Sequence, residues 1–172
     1  MTTTTRVVGH SLTRIDAPGK VTGSAIYAAD FALPGMLCGK VFRSAEPHAR
    51  LVTLDTSRAL RIPGVRAVIT AADAADVRYG GAVKDEQVFA SDIVRYRGQP
   101  VAAVAATSLE SAEAALAAID AVYEPLPPVF DLAAALAPGA PLVHEAWQSY
   151  TAIPILQRDG NVCNREIGRA HV

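Results

Sequence analysis

The sequence predicts an α+β fold built from short, mostly antiparallel strands and a few short helices. The apolar runs are short and bounded by Pro and Gly turn signals, which is typical of strands. They do not alternate regularly with helical segments, as parallel βαβ units would require. With 172 residues, 51% hydrophobic but only 6% aromatic, the chain is predicted to form one ordinary domain with a core of small aliphatic side chains.

The N-terminal region is predicted to begin with a flexible arm over residues 1–13, which are polar, rich in Thr and without periodicity. Turn residues follow at 16–19 and at 33–35, where Pro fixes its own φ angle and Gly accepts a positive one. The segment between these turns, SAIYAAD at 24–30, is predicted to be a short strand.

Three short apolar or alternating runs predict strands. Between the second and the third, Asp55 or Thr56 can cap a short helix that extends through Leu60. The Pro-Gly pair at 63–64 then ends this helix. The three predicted strands are residues 36–44, 50–56 and 65–70.

The middle of the chain is predicted to be an irregular connection over residues 71–87, followed by a hairpin. Its two strands, 93–98 and 100–106, are separated only by Gly98-Gln99, which favours a tight reversal. Pro100 is compatible only with the start of the second strand, because it donates no hydrogen bond.

The clearest helix follows this hairpin. Thr107 as the N-cap and Glu110 three residues later predict a capping box, in which each side chain accepts a hydrogen bond from an otherwise unpaired amide. The apolar side chains of the helix recur on one face and predict a thin stripe that packs on the sheet. They are Ala112, Ala115, Leu116 and Ile119.

The C-terminal third shows fainter signals. Residues 122–123 predict another short strand, which Pro125 ends, and Asp131 can cap a brief helical turn that stops at Pro138-Gly139. From Gln148 the organisation fades, and residues 148–166 are interpreted as the start of an extension with no evident packing partner in this chain.

The last six residues, IGRAHV at 167–172, are what the codons ATC-GGA-AGA-GCA-CAC-GTC encode. That nucleotide string matches a widely used sequencing adapter. We hypothesise that these residues are adapter read-through and that the coding sequence continues differently after about Glu166. The same six residues in independently cloned genomic DNA would contradict this.

Charge and cysteine content exclude several classes of protein. The net charge of -1, with mixed signs along the chain, does not favour binding to nucleic acid or to an anionic membrane. Cys38 and Cys163 form no C-x-x-C motif, so two free thiols in a reducing compartment are expected and no iron–sulfur or structural zinc site. Neither an export signal nor a membrane-spanning segment is recognised.

Candidate sites are few. Lys20 lacks the glycine and hydroxyl residues of a phosphate loop, and no G-x-G-x-x-G occurs. A hydrolase that uses Ser44 as nucleophile and His48 as base is conceivable, but no oxyanion-hole motif surrounds Ser44. The four histidines lack a second ligand at metal-site spacing and are expected to be hydrogen-bonded surface or interface residues. They are His10, His48, His144 and His171.

Several arginines could instead meet carboxylate or phosphate groups of a partner, because a guanidinium offers a fork of donors. Arg95 and Arg97 would point the same way if they lay on one strand face. Solvated or interface positions are the alternative. The arginines concerned are Arg43, Arg50, Arg95 and Arg97.

Four blocks of the chain carry a family resemblance, which spans about residues 9–165 in the family's own order. The chain resembles the molybdenum hydroxylases, which include xanthine dehydrogenases, aldehyde oxidases and the large subunit of aerobic carbon monoxide dehydrogenase. It is similar to the N-terminal α/β hammerhead domain of their molybdopterin-binding subunit. The blocks are RIDAPGKVTGSAIYAADF at 14–31, then residues 33–73, 93–131 and 135–145.

The resemblance implies an oxidoreductase that hydroxylates an aldehyde carbon or a carbon next to nitrogen, with water as the oxygen source. It implies a molybdopterin-type cofactor in the full-length subunit, and iron–sulfur clusters and FAD in partner subunits or domains. The family's cofactor-binding loops and catalytic glutamate match no position here, so we predict no catalytic, cofactor-binding or metal-binding residue in this chain.

These considerations predict a hammerhead domain over residues 14–147 that is part of a longer molybdopterin-binding subunit and is inactive alone. A cytoplasmic location is expected, although an export signal on a partner subunit would also be compatible. A free-standing hammerhead module that acts as a scaffold or binding protein is the alternative. A reading frame that stops after Val172 would favour it.

Overall fold

The computed structural model describes residues 8–75, 77–165 and 168. The chain divides into two compact units, Met1–Met36 and Leu37–Val172. More than half of the predicted arm at 1–13 lies outside the described residues, and so does the suspected read-through except for Gly168.

The first unit contains one short helix, α1 (Ala17–Val21), and a 3-10 turn at Ala28–Asp30. The carboxylate of Asp16 pairs with Arg14 at 2.9 Å and with Lys20 at 2.6 Å, and these two cations hold its pKa below the ordinary value. The strand predicted at 24–30 is wrong. The Asp30 carboxylate instead accepts a hydrogen bond from the Tyr27 amide at 3.0 Å, which closes a local turn.

The second unit contains two three-stranded sheets whose paired strands are all antiparallel. Sheet A has the order β1-β5-β3, and sheet B has the order β4-β2-β6. This arrangement of short strands with few helices confirms the predicted α+β class. The strands are β1 (Cys38–Arg43), β2 (Ala49–Asp55), β3 (Val65–Thr70), β4 (Ile93–Val94), β5 (Pro100–Ala106) and β6 (Asp120–Pro125).

One face of sheet A packs against the longest helix, α2 (Leu109–Ala118). The predicted apolar stripe is confirmed, because Ala112 and Ala115 are fully buried and Leu116 packs at the edge of the same core. The sheet contributes larger side chains to this core. They include Phe42, Val65, Val68 and Val104.

The predicted N-cap of α2 is wrong by one residue. The Thr107 amide donates to the carbonyl of Gly64 at 2.9 Å, so Thr107 is hydrogen-bonded to the turn before β3. Ser108 is therefore the N-cap, and its hydroxyl accepts from the Ser111 amide at 3.1 Å. Glu110 lies in the first turn, where its charge favours the helix dipole, but it does not complete a capping box.

The predicted hairpin between 93–98 and 100–106 is also wrong. β4 has only two residues and pairs with β2, whereas β5 pairs with β1 and β3, so the two segments belong to different sheets. The reversal between them is bonded to the backbone of Ser44, which accepts from the Gly98 amide at 2.8 Å and donates to the Gln99 carbonyl at 2.9 Å. Pro100 does begin its strand, as predicted.

Of the two shorter predicted helices, one is wrong and one is confirmed. Residues 55–60 form only a 3-10 turn at Ala59–Arg61, because the Asp55 carboxylate accepts from the Ser57 amide, two residues away, and closes a tight local turn. The brief helix after Asp131 is confirmed as α3 (Leu132–Leu136), with the Asp131 carboxylate accepting from the Ala134 amide at 2.7 Å.

The segment after Gln148 has partners within this chain, contrary to the interpretation of its pattern. Ala152 forms an isolated β-bridge with Val83, and the Lys84 amide donates to the Thr151 carbonyl at 2.7 Å. The guanidinium of Arg158 donates to the carbonyls of Trp147 and Tyr150. The backbone bonds between residues 83–84 and 151–152 join distant parts of the chain, so no local pattern in the sequence predicts them.

Candidate functional site

The hypothetical Ser44–His48 pair is not assembled as a nucleophile and base. The Ser44 hydroxyl accepts from the Glu46 amide at 3.0 Å and donates to the Glu46 carbonyl at 3.1 Å. His48 is bonded through Nδ1 to the Pro127 carbonyl at 2.7 Å. Within the described part of the chain, no hydrogen bond joins the two side chains, and both are buried. The geometry therefore favours structural roles for both.

The tautomer of His48 follows from its partner. A carbonyl oxygen only accepts, so Nδ1 carries a proton, and Nε2 is the second ring nitrogen. This Nε2 is buried and has no hydrogen-bond partner among the described residues. His48 thus ties the start of β2 to the segment after β6.

A cleft of about 260 Å³ lies beside His48. Arg95 and Arg97 line it, but Arg95 is already engaged: its guanidinium donates to the Val143 and Ile93 carbonyls and to Glu145 at 3.4 Å. Both arginines follow β4, so they do not share a strand face as the sequence suggested. The remaining lining is largely apolar and holds no nucleophile. It comprises Pro47, Tyr96, Pro127, Pro128, Val129, Phe130, Leu142 and Val143.

The other two candidate arginines bind within the chain. Arg43 donates to the Gly98 carbonyl at 2.9 Å and thereby supports the reversal after β4. Arg50, on β2, pairs with Asp92 at 3.0 Å and with Glu124 at 3.7 Å.

A second cleft, of about 320 Å³, surrounds His144. The His144 Nδ1 lies 3.3 Å from the Tyr150 hydroxyl, and its Nε2 lies 4.0 Å from an Asp85 carboxylate oxygen. The Arg78 guanidinium stacks 4.9 Å from the centre of the Tyr150 ring. Burial, together with the positive charges of Arg95 and Arg78, lowers the pKa of His144 against the opposing effect of Asp85.

This polar cluster was not found from the sequence. Its members come from the connection at 71–87 and from the C-terminal third, and no local pattern links such distant residues. The lowered pKa favours the neutral imidazole, which is hydrogen-bonded to Tyr150 and lies within 4.0 Å of Asp85. The cluster ties the two segments together.

The described residues contain no group of three or more His, Cys, Asp or Glu side chains that could hold a metal ion. Cys38 and Cys163 are free thiols, as predicted. His10 is exposed, and His171 lies outside the described residues. No helix in the described part of the chain is long and apolar enough to cross a membrane.

Comparisons with known proteins identify the architecture. Residues 22–127 match the sequence model of the family described as aldehyde oxidase and xanthine dehydrogenase, a/b hammerhead domain. The chain is 42% identical over 156 residues to a probable xanthine dehydrogenase subunit of Bacillus subtilis, covering 90% of this chain and 19% of that protein. It is 41% identical over 140 residues to the nicotinate dehydrogenase large molybdopterin subunit of Eubacterium barkeri, covering 81% and 33%.

Solved structures agree with the sequence relatives. A Cu,Mo carbon monoxide dehydrogenase superposes with a TM-score of 0.75 at 37% identity, covering 80% of this chain and 18% of that one. The aldehyde oxidoreductase of Desulfovibrio gigas gives a TM-score of 0.69 at 30% identity, covering 77% and 16%. The chain therefore spans between about a sixth and a third of the length of these relatives.

Proposed function

Since the chain belongs to the aldehyde oxidase and xanthine dehydrogenase hammerhead-domain family, we propose that it is the N-terminal part of a molybdopterin-binding subunit of such an oxidoreductase. One observation carries this proposal. Nearly the whole chain aligns with less than a fifth of a xanthine dehydrogenase subunit, so a much longer polypeptide surrounds this domain in the relative.

The proposed reaction of the whole enzyme is hydroxylation of an aldehyde carbon or of a carbon in a nitrogen heterocycle, with the oxygen atom taken from water. The molybdopterin-type cofactor of the full-length subunit would accept the substrate's electrons and pass them to iron–sulfur clusters and FAD. We place those centres in partner subunits or domains, and the assembly in the cytoplasm.

The role of this chain in that enzyme is structural. Among its described residues, no group of three or more His, Cys, Asp or Glu side chains could hold a metal ion. Its two best catalytic candidates, Ser44 and His48, are buried and bonded to backbone groups. We therefore assign no catalytic or cofactor-binding residue to it and expect the 172-residue chain to be inactive alone.

The decisive experiment recovers the genomic DNA around the coding sequence independently and then expresses the complete reading frame. The frame is expected to extend several hundred codons beyond that of Glu166, and the purified product to contain molybdenum by mass spectrometry. It should oxidise aldehydes or nitrogen heterocycles with an artificial electron acceptor. A frame that ends at codon 172 would contradict the proposal and support a free-standing scaffold.

A further inference from the structure

A third cleft, of about 310 Å³, has a polar lining and shares Asp85 and His144 with the cleft around His144. Residues of the connection at 71–87 form one part of its wall, and residues of the reversal after β4 form another. Apart from the aromatic ring of Tyr96, it is lined by Asp85, Glu86, Gln87, Arg95, Gln99 and His144. The hydrogen-bonding groups that have no partner within the chain indicate what this cleft can bind.

Gln99 supplies an oriented donor. The residue is 8% exposed, and its Oε1 accepts from the Arg95 amide at 2.6 Å. Because an amide N–H requires an acceptor, this bond fixes which end of the carboxamide is oxygen and which is nitrogen. The Nε2 has no hydrogen-bond partner among the described residues, and it is not one of the fully buried atoms. It therefore presents its N–H groups at the surface of the cleft that Gln99 lines.

Asp85 supplies an acceptor. Its side chain is 31% exposed, and in the described part of the chain its carboxylate accepts no hydrogen bond, although its backbone carbonyl accepts from Arg78. The His144 Nε2 lies 4.0 Å from the carboxylate, which is beyond hydrogen-bonding distance. A mostly buried carboxylate without a donor favours a ligand that brings one.

The charges around the cleft exclude two classes of ligand. An anion would approach the carboxylates of Asp85 and Glu86. A cation would satisfy Asp85, but it would leave the Gln99 Nε2 facing another donor and would lie near the Arg95 guanidinium. The class that remains is neutral and carries both an acceptor for Gln99 and a donor for Asp85.

The size and the aromatic part of the lining restrict the shape of such a ligand. Small-molecule sites occupy roughly 300–1,000 Å³, so a cleft of about 310 Å³ suits a molecule of one or two rings. Tyr96 is 55% exposed, and aromatic rings stack well on flat molecules. A planar ring that holds its carbonyl next to its N–H meets the polar and the aromatic requirements together.

We propose that this third cleft binds a small, planar, uncharged lactam, whose carbonyl accepts from the Gln99 Nε2 and whose N–H donates to the Asp85 carboxylate. Both protein groups are largely withdrawn from water, which strengthens the two hydrogen bonds. The proposal does not rest on the proposed function, because residues of this chain alone form the cleft.

The first test titrates the 172-residue chain with 2-pyridone, a one-ring lactam, by isothermal titration calorimetry. The matched ligand is N-methyl-2-pyridone, which keeps the ring and the carbonyl but has no N–H. We expect 2-pyridone to bind about ten-fold more tightly, because the N-methyl compound leaves the Asp85 carboxylate without a donor. Equal affinities, or no binding of 2-pyridone, would overturn the proposal.

The second test changes the donor and retains the fold. Gln99→Glu keeps an oxygen that accepts from the Arg95 amide but replaces the Nε2 donor by a second oxygen. We expect this variant to bind 2-pyridone about ten-fold more weakly or not at all. The control is Gln87→Glu, which adds the same charge to the same cleft at an amide that already donates to the Ser91 hydroxyl. Its affinity should stay within about two-fold.

Retained binding in Gln99→Glu, or an equal loss in Gln87→Glu, would refute the assignment of the donor. If urea unfolding shows that Gln99→Glu does not fold, nuclear magnetic resonance of the unmodified chain settles the question. The side-chain NH₂ signals of Gln99 should shift on addition of 2-pyridone, and those of the exposed Gln157 should not. Unchanged Gln99 signals would refute the site.

The outcomes are separate from those of the proposed function. A reading frame that ends at codon 172 would contradict the proposed function and leave this cleft intact. Failure of 2-pyridone to bind would refute the lactam site and leave the family assignment standing.

Discussion

Sheets A and B differ most in the faces that they turn away from the core. The outward positions of sheet B carry the cross-strand pair Arg50 and Glu124, with Thr53 and Val122 beside them. The paired rows of sheet A that point away from α2 carry no polar side chain, and they are Gly39–Ala105–Ala67 and Val41–Ala103–Ile69. Both sheets are three-stranded and antiparallel, so strand geometry does not explain the contrast. The two sheets therefore differ in the composition of their outward positions, which include charged residues in sheet B and are apolar in these rows of sheet A.

The largest effect should come from the buried side of sheet A. Val104→Ala removes two methyl groups from a fully buried site that faces α2. We expect the free energy of unfolding to fall by about 2 kcal/mol in urea denaturation, through lost burial and a residual cavity. The control, Val122→Ala on sheet B, should change it by no more than about 0.5 kcal/mol. Equal losses of unfolding free energy in the two variants would mean that the buried side of sheet A and the outward side of sheet B do not differ in packing.

A smaller effect tests how α2 is fixed on sheet A. Ser108→Ala removes the hydroxyl that accepts from the Ser111 amide, and we expect a loss of about 1 kcal/mol in the free energy of unfolding. The neighbouring Thr107→Ala, also a loss of a hydroxyl, should cost less than about 0.5 kcal/mol. Should Thr107→Ala prove the more damaging substitution in thermal or urea unfolding, the cap would lie where the sequence alone placed it.

The smallest effect concerns the solvent-facing side of sheet B. A double-mutant cycle of Arg50→Ala and Asp92→Ala should give a coupling free energy of about 0.5 kcal/mol, because both side chains are roughly half exposed. High salt should reduce this coupling, since ions screen exposed charges. A coupling that is large and independent of salt would show that this side of sheet B is buried, and the contrast with sheet A would disappear.

Local signals predicted the elements that depend on neighbouring residues. The β-branched run at 65–70 is β3 to the residue, and Asp131 caps α3 because its carboxylate needs to reach only three residues ahead. The alanine stripe of α2 was also correct, since helical periodicity alone places those residues on one side. The four sequence blocks identified the hammerhead family by their resemblance to it.

Distant contacts decided the rest. Residues 93–94 and 100–106 lie in different sheets, because β4 pairs with β2 whereas β5 pairs with β1 and β3. The sequence did not predict the His144 cluster for a similar reason, since the approach of His144 to Asp85 joins two distant segments with no shared pattern.

The sequence by itself determined the fold class, the family, most strand positions and the absence of a recognisable catalytic motif. Only the tertiary structure decided which strands share a sheet, where α2 begins and which face of sheet A packs against it. The physical reason is that periodicity and capping act over a few residues of chain. Pairing register and burial instead result from competition among all segments that can reach one another.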